Sequence, residues 1–189
     1  MTFFQFILFA LSIITAENIF FARAVDIGRI YDFIDKPRNI THLGFSLTCM
    51  NVCAAVLSYP VAVFLPRNGI ALLLRPTIFL IVAYIGYILL FMSRMKFTTN
   101  FPPAVCMNGV VLSTLLICSR ESYSLVETIL YAAAAAIGYM IAMLIVHIGR
   151  VRLFYSTPPK AFRGFPILLV YIGLISLALY GLLGHQLPV

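Results

Sequence analysis

Few residues in this chain can do chemistry, and their placement makes them informative. Glu17-Asn18 puts a carboxylate and an amide between two apolar stretches, residues 1–14 and 19–25. An ionisable group near the middle of a bilayer-crossing helix costs about 2.5–3.5 kcal/mol on insertion scales, so it generally has a partner or a task. Asn108-Gly109 interrupts a second apolar stretch further along the chain. Breaks at corresponding positions in two halves point to a site near the membrane midplane. Glu17, Asn18 and Asn108 are therefore the helix-break and pathway candidates. For Glu17-Asn18 three readings stay open: a break that satisfies itself locally, a hydrogen bond between helices, or part of an ion or redox site.

The thiols and imidazoles say less. Cys49 and Cys53 are four residues apart and share one helix face. A structural zinc site wants four ligands, and the one histidine near them in sequence is His42. Apolar filling is the expectation for both. Cys106, two residues before Asn108, is the thiol best placed for chemistry, although a cluster normally takes four cysteines. His42, His147 and His185 fall near the ends of apolar segments, where imidazole needs no catalytic reason. Arg75 lies inside an apolar segment and is expected to snorkel outward or to pair with Glu17. No phosphate-cradling glycine loop, Ser/His/Asp set or metal-binding helix motif occurs, so no self-contained active site and no metal site are expected.

The elements that must position these residues are set by composition. Of 189 residues 62% are hydrophobic and 10% charged, with a mean hydropathy of +1.04. Soluble domains run at roughly 45–50% apolar and about 25% charged. The bilayer is the solvent, and the chain reads as a single transmembrane domain. The net charge of +7 is distributed between apolar segments instead of along a stripe, which argues against nucleic acid. The N-terminus lacks a basic region and a small-residue cleavage pattern, so its apolar stretch reads as a retained span.

Six segments approach the roughly 20 residues a spanning helix needs: 3–25, 41–65, 70–94, 101–118, 125–148 and 165–187. The fourth opens on Pro102-Pro103 and carries Asn108-Gly109 in its middle, so it is expected to be broken like the first. Ten of the 13 Lys and Arg residues fall in loops one, three and five. The positive-inside rule then places both termini outside and loops 1, 3 and 5 in the cytoplasm. Two sets of three spans, with the first of each set broken, suggest an inverted duplication: repeat 1 about 1–97 and repeat 2 about 98–189. The run Ala132–Ala136 followed by Gly138 gives a smooth face for close helix packing.

Four stretches of the C-terminal third carry a resemblance: 130–138, Arg150-Val-Arg-Leu153, Pro158-Pro-Lys-Ala-Phe-Arg-Gly164, and Gly173-Leu-Ile-Ser-Leu-Ala178. With Leu74-Arg75-Pro and Glu17-Asn18-Ile-Phe-Phe21, they resemble the membrane-subunit family shared by the Rnf complex and the sodium-pumping NADH:quinone reductase (Rnf/Nqr). Within that family the resemblance is to the A-type subunit of Rnf or its E-type counterpart in Nqr. It implies six helices as two inverted three-helix repeats with helices 1 and 4 broken, in the cell inner membrane. It further implies pairing with a homologous subunit of opposite topology, and a 2Fe-2S cluster at their interface held by two cysteines from each. It implies a part in electron transfer tied to Na+ or H+ movement.

This sequence departs from that pattern. Its alignment with the family puts Gly28 and Gly109 at the two cysteine positions, with Cys106 meeting the second on a shifted match of Phe101-Pro-Pro, so no cofactor is assigned to the chain alone. The expected function is an integral membrane subunit of an Rnf/Nqr-like ion-translocating electron-transfer complex. The alternatives are a cofactor-free relative with a scaffolding or ion-passage role and, last, the membrane component of a small-molecule importer. The first span lacks the alanine pair that importer components use to dock an energising partner.

Overall fold

The computed structural model describes residues 3–29, 37–65, 69–92, 108–155 and 159–183. Every regular element among them is helical: α1 (Phe3–Thr15), α2 (Ile19–Arg23), α3 (Pro37–Phe64), α4 (Ile70–Met92), α5 (Gly109–Glu121), α6 (Leu125–Phe154) and α7 (Phe165–Leu183). Short 3-10 turns occupy Ile27–Arg29 and Lys160–Phe162. Three helices have a stretch apolar and long enough to cross a bilayer, Ile40–Phe64, Leu72–Met92 and Leu125–Leu153, and Phe4–Thr15 and Phe165–Gly181 are shorter apolar helices.

The local signals that start and stop these helices are chemical. Asn18 and Asn108 cap α2 and α5, each accepting a backbone N–H two residues on. Ser124 and Glu127 form a capping box at the start of α6, satisfying two otherwise orphaned donors reciprocally. Ala24 and Ser122 close α2 and α5 in left-handed conformations, at φ 53° and 59°. Pro37 opens α3, where its missing N–H costs nothing.

At the centre of the bundle α3 and α6 run antiparallel. Gly44 meets Met140 near one end, and Asn51 bonds Ala132 further along. α1 and α6 run parallel, with Phe9 against Tyr131, Asn18 on Gly138, and Phe20 against Tyr139. α5 sits on α3, α4 and α6, α4 lies against α3, and α7 against α6 and α2. α2 also touches α6 and α5. The smooth alanine face does its work inside this chain: Ala132, Ala134, Ala135 and Ala136 are all buried. A Cβ on Gly138 would stand 3.2 Å from the Ile14 Cα and from Asn18 Nδ2, so the missing side chain is what lets α1 and α6 approach. Outward faces of α1, α4 and α7 carry exposed Phe, Ile and Leu, as expected where the solvent is lipid.

The expected segments map onto these helices with shifted boundaries. The break in the first falls at residues 16–18, between α1 and α2. The fifth runs on to Phe154, six residues past its expected end at residue 148. In the fourth, Asn108-Gly109 is the point where α5 begins, and residues 101–107 lie outside the described residues.

Candidate functional site

The break after α1 is spliced by one side chain. The backbone N–H groups of Ala16 and Glu17 both reach Ser12 O, at 2.8 and 2.9 Å, ending the regular ladder. Asn18 then turns extended, with ψ at 115°. Its Oδ1 accepts from Phe20 N at 3.0 Å, so it caps the helix ahead. Its Nδ2 donates back to Ile14 O at 2.8 Å and across to Gly138 O on α6 at 2.9 Å. One amide thus satisfies groups on three elements in a position only 4% exposed. In a medium without water, an interrupted helix survives only where protein takes over the freed hydrogen bonds. Here Asn18 supplies that replacement.

Glu17 behaves differently from its neighbour. It is exposed at the break while Asn18 is buried. Burial and then the Glu17 and Glu121 carboxylates push the phenol of Tyr123, in the α5–α6 connection, above its ordinary range, so that ring stays neutral.

At the start of α5 Asn108 Oδ1 accepts from Val110 N at 2.9 Å, and the side chain is buried. Gly109 follows as the first residue of α5 and lies directly against the segment after α2. A Cβ built there would be 3.0 Å from Val25 Cγ1 and 3.7 Å from Asp26 Cβ. Gly28 sits two residues beyond Asp26, with open space where its Cβ would be. The structure therefore joins Gly109 to the chain segment that carries Gly28. Cys106 lies outside the described residues.

Sequence reasoning passed over a third amide. Asn51, between Cys49 and Cys53, is fully buried in α3. Its Nδ2 donates to Ala132 O on α6 at 2.8 Å, and its Oδ1 accepts from Thr114 Oγ1 on α5 at 2.6 Å. A lone amide in an apolar run was the available signal, the same one that picks out Asn18. The flanking thiols are only half-buried, and Cys53 Sγ comes no nearer than 4.0 Å to Gly86 O.

Arg75 does not snorkel. It is 5% exposed, and its guanidinium donates to Ser119 Oγ at 2.9 Å and to Leu65 O at 3.1 Å. His42 is exposed and His147 half-buried, while His185 lies outside the described residues.

A bundle of apolar helices, entered by capped breaks and tied through buried amides, defines the chain as a multi-pass membrane protein. Over residues 6–185 it matches the family described as Rnf-Nqr subunit, membrane protein, and it belongs to that family. It is 38% identical over 85 residues to the A-type subunit of the Na(+)-translocating ferredoxin:NAD(+) oxidoreductase complex of Acetobacterium woodii, which covers 45% of this chain and 44% of that protein. To the A-type subunit of the ion-translocating oxidoreductase complex of Buchnera aphidicola it is 36% identical over 84 residues, 44% of each chain. These alignments span less than half of those relatives. The Vibrio campbellii protein of the same name aligns over 95% of this chain and 97% of its own length at 24% identity.

The family resemblance implies a cluster held by thiolates, and the described residues at positions 28 and 109 supply none. Neither Gly28 nor Gly109 offers a donor atom, and Val25 already fills the space into which a side chain at 109 would have to grow. Among the described residues, no three of His, Cys, Asp and Glu gather where a metal ion could be held. Cys49, Cys53 and Cys118 belong to α3 and α5 away from the Val25–Gly109 contact.

Proposed function

We propose that the chain is an integral subunit of an Rnf/Nqr-like ion-translocating electron-transfer complex. There it pairs with a homologous subunit of opposite topology and contributes architecture at the junction of its two breaks, without cluster ligands at positions 28 and 109. The observation that carries this reading is the family match over residues 6–185 together with Gly109 seated on Val25 and Asp26, between the two breaks.

The packing pattern supports an inverted repeat of six spans. Exchanging α1–α2, α3 and α4 for α5, α6 and α7 maps α3 on α4 to α6 on α7, α1 on α6 to α5 on α3, and α2 on α7 to α5 on α4. The central α3–α6 and α2–α5 contacts map onto themselves, while α5 on α6 has no counterpart of similar extent between α1–α2 and α3 among the described residues. The parallel course of α1 and α6 is what three crossings between them require. In this reading both termini lie outside in the inner membrane, as the charge bias of the odd loops supports. The glycines at 28 and 109 favour a second reading, a cofactor-free relative that keeps the fold for scaffolding or ion passage.

Affinity purification of the tagged chain from mildly solubilised native membranes separates these readings. The complex reading expects flavin- and cluster-bearing subunits and a homologous membrane subunit to come with it. Recovery of the chain alone, or with an energising ATPase, overturns that reading. Iron and sulfide assays with an electron paramagnetic resonance spectrum address the ligands. The cluster signal is expected to be unchanged by Cys106→Ala, and its loss in that variant would show that this chain does supply a thiolate. Modification of single engineered cysteines from outside intact cells tests sidedness: labelling is expected near His185 and not near Lys36.

A further inference from the structure

Two arginines frame one cavity at the helix-terminal edge of the bundle. The cavity, about 340 Å³, lies between α4 and α5 and is lined by Leu72, Arg75, Leu116, Ser119 and Arg120. Its volume is within the range of small-molecule pockets. Arg75 stands in the second turn of α4 and Arg120 in the last turn of α5. Arg75 is held deep in the protein, donating to Ser119 Oγ and to the Leu65 carbonyl. Arg120 is at the rim, and its contact with Glu121 is long, 3.9 Å, between side chains 85% and 51% exposed. An exposed ion pair of that kind leaves a guanidinium available to another anion.

The walls are as informative as the charges. Leu72 and Leu116 are apolar, and Leu72 continues into exposed Leu73 and Leu74 on the outward face of α4. A ligand for this site needs an anionic, oxygen-rich head for the two guanidiniums and a greasy tail for the leucines. Guanidinium matches phosphate geometrically, through paired N–H donors. The site also sits where α3 and α5 end and α4 and α6 begin, the level of the headgroups for helices that cross a bilayer. We infer that this cavity binds the phosphodiester headgroup of an anionic phospholipid, with its acyl chains lying along Leu72 and Leu116. Basic pockets between membrane helices recognise such headgroups by the same chemistry. The lipid ties α4 to α5 at the edge of the bundle, independently of whether the breaks serve redox chemistry.

Native mass spectrometry tests this on the full chain, purified in detergent with whatever subunits accompany it. The probes are phosphatidylglycerol, phosphatidylcholine and inorganic phosphate. Retention of phosphatidylglycerol is expected to exceed that of phosphatidylcholine by about tenfold, and Arg120→Gln is expected to weaken it by about fivefold. Arg75→Gln is expected to weaken it at least as much. Because Arg75 is buried and that variant can fail to fold, the exposed Arg120→Gln carries the decision. Leu72→Ser is expected to lower lipid retention without affecting displacement by phosphate. Equal retention of the two lipids, or phosphatidylglycerol binding unchanged in Arg120→Gln, overturns the inference. Full displacement by inorganic phosphate, with no effect of Leu72→Ser, identifies a small-anion site and overturns the lipid assignment.

Discussion

Asn18 at the break after α1 and Asn108 at the start of α5 cap their helices in the same way, yet the two sites are built differently. At the first, Asn18 accepts from the helix ahead, donates to the helix behind, and donates again to Gly138 on α6. At the second, Asn108 caps α5, and the contact across to the other half is made by its neighbour Gly109 against Val25 and Asp26. A polar bond between helices fixes distance and orientation, whereas a glycine contact fixes only closeness. The first break is a fastened joint and the second a seat. At positions 28 and 109 themselves a shared ligand set has no side chain to draw on.

The largest expected effect comes from unfastening the joint. Asn18→Ala loses a helix cap, typically about 1 kcal/mol, and an interhelical bond of about 0.6–1.7 kcal/mol, and leaves buried groups unpaired. A destabilisation of about 2–3 kcal/mol is expected, read as a lower thermal midpoint in detergent and reduced recovery of partner subunits. Asn18→Ser separates the two roles without burying a charge, because a hydroxyl can cap Phe20 N but lacks the amide that donates to Gly138 O. If Asn18→Ser matches the wild type, the bond to α6 is not what holds the break.

The break at Asn18 was legible in the sequence because an amide in an apolar run is conspicuous for its cost in lipid, and the same signal marks Asn108, where α5 begins. Their partners were not. Nothing local marks Gly138 as the acceptor for Asn18, since the carbonyl belongs to the backbone and its position depends on how α1 lies along α6. Asn51 carried the same local signal as Asn18 but was overshadowed by Cys49 and Cys53. The half-buried thiols engage little, while the amide between them links α3, α5 and α6. Arg75 shows the limit in the other direction. Its charge made it visible, but burial against Ser119 and Leu65 comes from the meeting of three helix ends that are distant in sequence.

Asn51 provides the next test, a joint without a break. It bridges Ala132 O and Thr114 Oγ1 inside continuous helices, so its removal should cost the bonds and no cap. Asn51→Ala is expected to destabilise by about 1–2 kcal/mol. Combining it with Thr114→Val in a double-mutant cycle should recover a coupling of about 0.5–1 kcal/mol. Additive losses would mean that the 2.6 Å contact contributes nothing beyond the two residues' separate roles.

Asn108→Ala is expected to cost about 1 kcal/mol, the ordinary loss on removing a cap. Asn108→Ser is expected to be tolerated, because capping needs only an acceptor and a hydroxyl supplies one without burying a charge. A loss at 108 as large as at 18, measured by the same thermal midpoint, would make the two breaks equivalent and remove the distinction between joint and seat.

The smallest effects discriminate most finely, because they probe the two glycines directly. At Gly28 a new Cβ meets nothing within 4 Å, so Gly28→Ala should leave stability within about 0.5 kcal/mol of the wild type. At Gly109 the same methyl stands 3.0 Å from Val25 Cγ1, and either Val25 or the start of α5 must give by a few tenths of an ångström. Overpacking of that kind costs about 1 kcal/mol or more, and Val25→Ala in the same chain should recover it by vacating the space. Rescue by Val25→Ala locates the strain at the seat between the two halves. Without rescue, the cost at 109 belongs to the helix start itself, and the contact with Val25 no longer explains why glycine stands there.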